Sequence, residues 1–119
     1  MYVPLLSFIT ASLMALPHTG TLQGVRCAIT VAPDAQNLVV KPNVIGPKGT
    51  VGRHETVVQA AAGTNRSTSV QSGGFTIHQT DVLQAVATLH LSLDPARRID
   101  IHVQIFSQGQ ISKCTASYP

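Results

Sequence analysis

The chain reads as an all-β sandwich, and three observations predict it. Long stretches alternate apolar and polar residues with a period of two, the signature of half-buried strands. Turn-forming Gly, Pro, Asn and Asp separate these stretches at short intervals. Only 11% of the 119 residues are charged and 4% aromatic, while 44% are hydrophobic, mostly Val, Ile, Leu and Ala. That composition, with nine Gly and seven Pro, suits short strands rather than helices.

Residues 1–24 hold no Lys, Arg, Asp or Glu, and Val3 to Leu16 is largely apolar. The run is shorter than the roughly 20 residues a membrane helix needs. Its length suits the apolar core of a secretory signal peptide, with cleavage between Ala15 and Gly24. No Lys or Arg precedes it and no clean small-x-small site follows, so a retained anchor or a core segment are the other readings. The domain division is a targeting segment over 1–24 and a single domain over 25–119.

Val25 to Val31 alternates, with Val25, Cys27, Ile29 and Val31 on the dry side. Ala32 to Asn37 is a turn. Leu38 to Ile45 is the second strand, and Pro42, which cannot donate to a ladder, predicts an edge or a bulge there. Gly46-Pro-Lys-Gly49 turns the chain. Gly52 to Ala61 is the third strand, with His54, Thr56, Val58 and Ala60 on one face. After the Ala62–Arg66 loop, Ser67 to His78 is polar and broken by Gly73-Gly74, as in an edge strand that bends or switches sheets.

Two long runs follow. Val82 to Leu93 places Leu83, Ala85, Ala87, Leu89, Leu91 and Leu93 on one face, and Ile99 to Phe106 does so with Ile99, Ile101, Val103 and Ile105. Asp94-Pro-Ala-Arg97 between them has the Asp and Pro that a type I turn favours. Together they predict a central antiparallel hairpin with one dry and one wet face. Ser107 to Gln110 turns again, and Ile111 to Tyr118 is the last strand. About seven antiparallel strands at this length point to an immunoglobulin-like β-sandwich. It lacks the buried Trp of antibody domains.

Cys27 and Cys114 are the only cysteines, one near each end of the domain. An even pair in an exported chain reads as a disulfide, and two free buried thiols are the rival reading. A metal site is disfavoured because no His sits at ligand spacing beside either Cys, and a redox pair would favour Cys-x-x-Cys.

No catalytic constellation emerges. No Ser lies in a Gly-x-Ser-x-Gly elbow, and the five acidic residues form no evident pair. His90 and His102 would face each other across the predicted hairpin as solvated strand histidines, since no third ligand is visible; a copper or zinc site or a pH sensor is the sharper alternative. Asp100 would pair with Arg98 or Lys113 in a structural role. The net charge of +3 suits an acidic partner. Nucleic acid is disfavoured, because no basic stripe interleaves with aromatics. If several of Lys41, Lys48, Arg53, Arg66, Arg97 and Arg98 share one sheet face, they form a basic patch; ordinary solvation of a mildly cationic protein is the equal alternative. A small enzyme or metal carrier using His90 and His102 is the remote alternative.

Residues 25–116 resemble the CsgH/CsgC group of periplasmic curli-assembly chaperones, and more the CsgH branch. The resemblance lies in Cys27-x-Ile29, Gly52, and the polar run Gly63-Thr-Asn-Arg-Ser-Thr-Ser-Val-Gln-Ser-Gly-Gly-Phe75. It continues in Leu89-x-Leu91-x-Leu93-Asp-Pro-Ala-Arg-Arg-Ile99 and in Ser107-Gln-Gly109 through Cys114. The Cys-x-Cys pair of the CsgC branch is missing, so no redox role transfers. The resemblance implies a periplasmic immunoglobulin-like sandwich that is not an enzyme and carries no cofactor or metal. It implies a chaperone that keeps an amyloid-forming curli subunit (CsgA-like) from polymerising before export. Lys41, Arg53, Arg66, Arg97 and Arg98 are the candidate client contacts, on charge alone. Once mature, the domain is expected to be a monomer without nucleic-acid or membrane partners. The competing class is a structural or adhesive β-sandwich subunit of a surface fibre.

Overall fold

The computed structural model describes residues 24–93 and 97–119. The targeting segment read at 1–24, apart from Gly24, lies outside them, and so does the Asp94–Arg97 turn apart from Arg97. Among the described residues, eight strands form two four-stranded antiparallel sheets: β1 (Arg26–Asp34), β2 (Asn37–Ile45), β3 (Val51–Ala62), β4 (Asn65–Thr76), β5 (Gln84–Ala85), β6 (Leu89–Ser92), β7 (Arg98–Ser107) and β8 (Gln110–Tyr118). Sheet A joins β1 to β2, with β6 and β5 end to end along the far edge of β2; sheet B runs β4-β3-β7-β8.

The inner faces follow the period of two. Sheet A contributes Cys27, Ile29, Leu38, Val40, Val44 and Leu89; sheet B contributes Val58, Phe75, Ile99, Ile101, Val103, Ile105 and Cys114. Strand β7 sits inside sheet B, and its four inward side chains are at most 1% exposed. Burying each stabilises the fold by about 1.5–3 kcal/mol. His54 and Thr56 also point inward and are buried, His54 Nδ1 lying 3.3 Å from Thr56 Oγ1.

Tight turns set the registers. Pairs Asp34–Asn37, Ala62–Asn65 and Ser107–Gln110 each enclose a two-residue loop. Gln108 and Gly109 both have positive φ, as a type I′ hairpin requires. The loop of β1 and β2 is thus Ala35-Gln36, shorter than the predicted Ala32–Asn37 turn.

The expected pairing of strands is corrected. The central hairpin does not exist: β6 pairs with β2 in sheet A, while β7 pairs with β3 and β8 in sheet B. The Val82–Leu93 run is not one strand either, since Leu83 is 50% exposed and Ala85 is exposed, and only β5 and β6 form ladders. Alternation specifies which side of a strand is dry but not which strand lies beside it.

Pro42, expected at an edge or bulge, lies within the middle strand β2 in unbroken register with β1. Its carbonyl accepts from Val86 N–H at 2.9 Å, so its backbone polar groups face the β5/β6 side. The missing N–H therefore falls where β5 and β6 separate, and no ladder bond is lost. The polar run Ser67–His78 is the edge strand expected, but it is unbulged, with twelve consecutive pairs to β3; the change of sheet comes after it.

Candidate functional site

The outer face of sheet B is built row by row from the strand registers. Gly74, Arg53, Phe106 and Ile111 form one row across β4, β3, β7 and β8. The next rows are Ser72-Glu55-Gln104-Lys113, Val70-Val57-His102-Thr115 and Thr68-Gln59-Asp100-Ser117, and Arg66-Ala61-Arg98 closes the face. At about 3.4 Å per residue, Arg53 and Arg98 stand roughly 27 Å apart along the strands.

Four cations, Arg53, Arg66, Arg98 and Lys113, thus stand on this face against two carboxylates, Glu55 and Asp100. Asp100 is engaged locally: Ser117 Oγ donates to it at 2.7 Å, and Arg98 Nε lies 3.4 Å away. The Ser117 hydrogen bond, then that of Arg98, lowers the Asp100 pKa below the usual carboxylate value. The expected Arg98 pairing is present, whereas Lys113 lies opposite Gln104. Arg53, Arg66 and Lys113 have no carboxylate at ion-pair distance among the described residues. The guanidinium of Arg53 stacks on the Phe106 ring, 4.8 Å from its centroid.

The five charge-selected residues separate. Arg53, Arg66 and Arg98 share the face. Lys41 is exposed on the outer face of sheet A, opposite Thr30. Arg97 precedes β7 by one residue and is half-buried. Lys113 was missed as part of the patch, although alternation about the inward Cys114 is enough to turn it outward.

His90 and His102 do not face each other. His90 lies opposite Val39 in sheet A and His102 between Val57 and Thr115 in sheet B, because the hairpin that would join them is absent. Among the described residues the buried histidine is His54, whose pKa is lowered by burial and then by the Arg53 charge. Cys27 and Cys114 form a disulfide with a Cα–Cα distance of 5.9 Å, joining β1 of sheet A to β8 of sheet B.

No family model matches the chain, and no curated protein matches it by sequence. Among solved structures it is similar to R. palustris CsgH, with a TM-score of 0.65 and 18% identity over 76% of this chain and 89% of that one. It is also similar to the E. coli curli protein CsgC, with a TM-score of 0.61 and 14% identity over 81% of this chain and 99% of that one. The two fits do not favour one branch over the other. The chain has a CsgH/CsgC-like fold.

Proposed function

We propose that this protein is a non-enzymatic periplasmic chaperone of curli assembly that delays amyloid polymerisation of the curli major subunit. The observation that carries the reading is the gathering of Arg53, Arg66, Arg98 and Lys113 on one sheet face, in a fold shared with a curli protein. A disulfide between the first and last strands suits an oxidising compartment. Amyloid nuclei grow by adding strands edge to edge. A cationic β-surface meets an acidic subunit rapidly and weakly, because exposed charges act mainly on encounter.

The test is the lag of subunit polymerisation followed by an amyloid dye. The chain at a small fraction of the subunit concentration lengthens the lag. The effect shrinks with salt, as the screening length falls from about 30 Å at 0.01 M to about 10 Å at 0.1 M. An unchanged lag at equal concentrations overturns the reading.

A further inference from the structure

Strand β4 is a long edge without the usual protections. Edge strands are commonly blunted by Lys, Pro, a bulge or brevity. Strand β4 runs twelve residues, Asn65–Thr76, without Pro, Lys or bulge, and Arg66 is its only charge. Every residue from Asn65 to Ser72 is exposed, including Ser67, Ser69 and Gln71 on the inner side, so β4 overhangs the sandwich. Elsewhere the edges are managed: the disulfide draws β1 and β8 together, and β5 and β6 have two and four residues.

The hydrogen bonds at the end of β4 determine which of its backbone groups lack a partner strand among the described residues. Ile77 N–H donates to Thr50 O at 2.9 Å and Ile77 O accepts from Gly49 N–H at 2.8 Å, so Ile77 faces the β3 side. Its neighbours face away, and the Gln84 side chain occupies them: its Nε2 donates to Thr76 O and its Oε1 accepts from His78 N–H, both at 2.9 Å. A side-chain amide here stands in for a neighbouring strand. By alternation, the N–H and C=O groups of Arg66, Thr68, Val70, Ser72 and Gly74 point outward beyond this cap.

We propose that the open edge of β4 accepts one extended strand of an acidic client, pairing its backbone with Arg66, Thr68, Val70, Ser72 and Gly74. This rests on the chaperone reading and names where the client binds. Backbone pairing recognises any extended chain, and side chains on alternate positions select among them. The adjoining cations call for a carboxylate beside Arg66. Val70, 59% exposed, sits next to Val57 and calls for an apolar side chain four residues from that carboxylate. A client strand held there has its own growing edge covered on one side.

Hydrogen exchange of the full chain, with and without equimolar acidic curli subunit in the lag phase, tests this. Amides of Thr68, Val70, Ser72 and Gly74 slow, by about threefold when free client is at twice the dissociation constant. Those of Ser67, Ser69 and Gln71, which face β3, are protected already and change little. Thr68→Pro removes an outward N–H without touching the β3 ladder and abolishes the lag extension while the urea midpoint is kept. Ser69→Pro breaks the ladder and lowers that midpoint. A lengthened lag with unchanged exchange at the four amides overturns the edge proposal and leaves the chaperone reading standing. No lag extension by the unaltered chain removes both. Protection that grows with the concentration of the chain alone assigns the edge to a second copy and overturns the proposal.

Discussion

Arg53 and Phe106 are direct cross-strand neighbours on the outer face of sheet B, and the guanidinium carbon lies 4.8 Å from the ring centroid. The contact holds the cation at a defined place. An exposed pair of this kind contributes about 0.5–1 kcal/mol. A double-mutant cycle of Arg53→Ala and Phe106→Leu in urea unfolding is expected to return a coupling of that size. Strictly additive effects would show that the stack contributes nothing.

The placement of the cations separates two sets of variants. Arg66→Glu with Arg98→Glu reverses charge on the sheet B face and is expected to shorten the amyloid lag extension severalfold. Lys41→Glu lies on the other sheet and is expected to leave most of it, although both changes lower the net charge. Equal losses per charge would mean that net charge, not the face, governs encounter.

Gly52 and Gly74 predict opposite outcomes for the same substitution. A Cβ on Gly52 would lie 2.6 Å from both Phe106 O and the Phe75 ring. Gly52→Ala is expected to cost about 1–3 kcal/mol, as overpacking does. A Cβ on Gly74 meets nothing closer than Gly52 O at 3.7 Å, so Gly74→Ala leaves the urea midpoint nearly unchanged.

His54 makes stability depend on pH. Burial, then Arg53, lowers its pKa below 6.5, so below that pH the unfolded chain takes up a proton that the folded chain resists. Stability is complete above about pH 6.5 and falls as pH drops towards the folded pKa. His54→Gln is expected to flatten the urea midpoint between pH 7.5 and 5. Asp100 acts in a separate window: its lowered pKa stabilises the fold above 3.8 and that gain disappears at lower pH.

The disulfide closes a loop spanning 87 positions. On the chain-entropy model its loss costs roughly 4.5 kcal/mol. Cys27→Ala with Cys114→Ala is expected to lower the melting temperature by well over ten degrees, and the unaltered chain in reductant should match it. Equal melting with and without reductant would show that the bond contributes nothing.

Much of the fold was legible because a strand records its surroundings locally. Ile99, Ile101, Val103 and Ile105 alternate with Asp100, His102 and Gln104, and that alone separates core from solvent along β7. The same holds for Cys27 and Ile29, for His54, Thr56 and Val58, and for Cys114. The paired cysteines and the edge position of the polar Ser67–His78 run were equally readable.

Adjacency was not. Leu89 and Leu91 look alike whether their strand joins Ile101 or Val40, since backbone pairing is indifferent to side chains; tertiary packing placed it beside β2. That choice also separated His90 from His102 and set the gap that accommodates Pro42, while the pairing of β2 with β1 rather than β3 divided Lys41 from Arg53, Arg66 and Arg98. The sequence by itself determined which side of β1, β3 and β7 is dry, because burial in these strands is written at a period of two. Only the tertiary structure decided which strands neighbour one another, because a wet face is shared by residues distant in the chain whose pairing depends on the whole sheet.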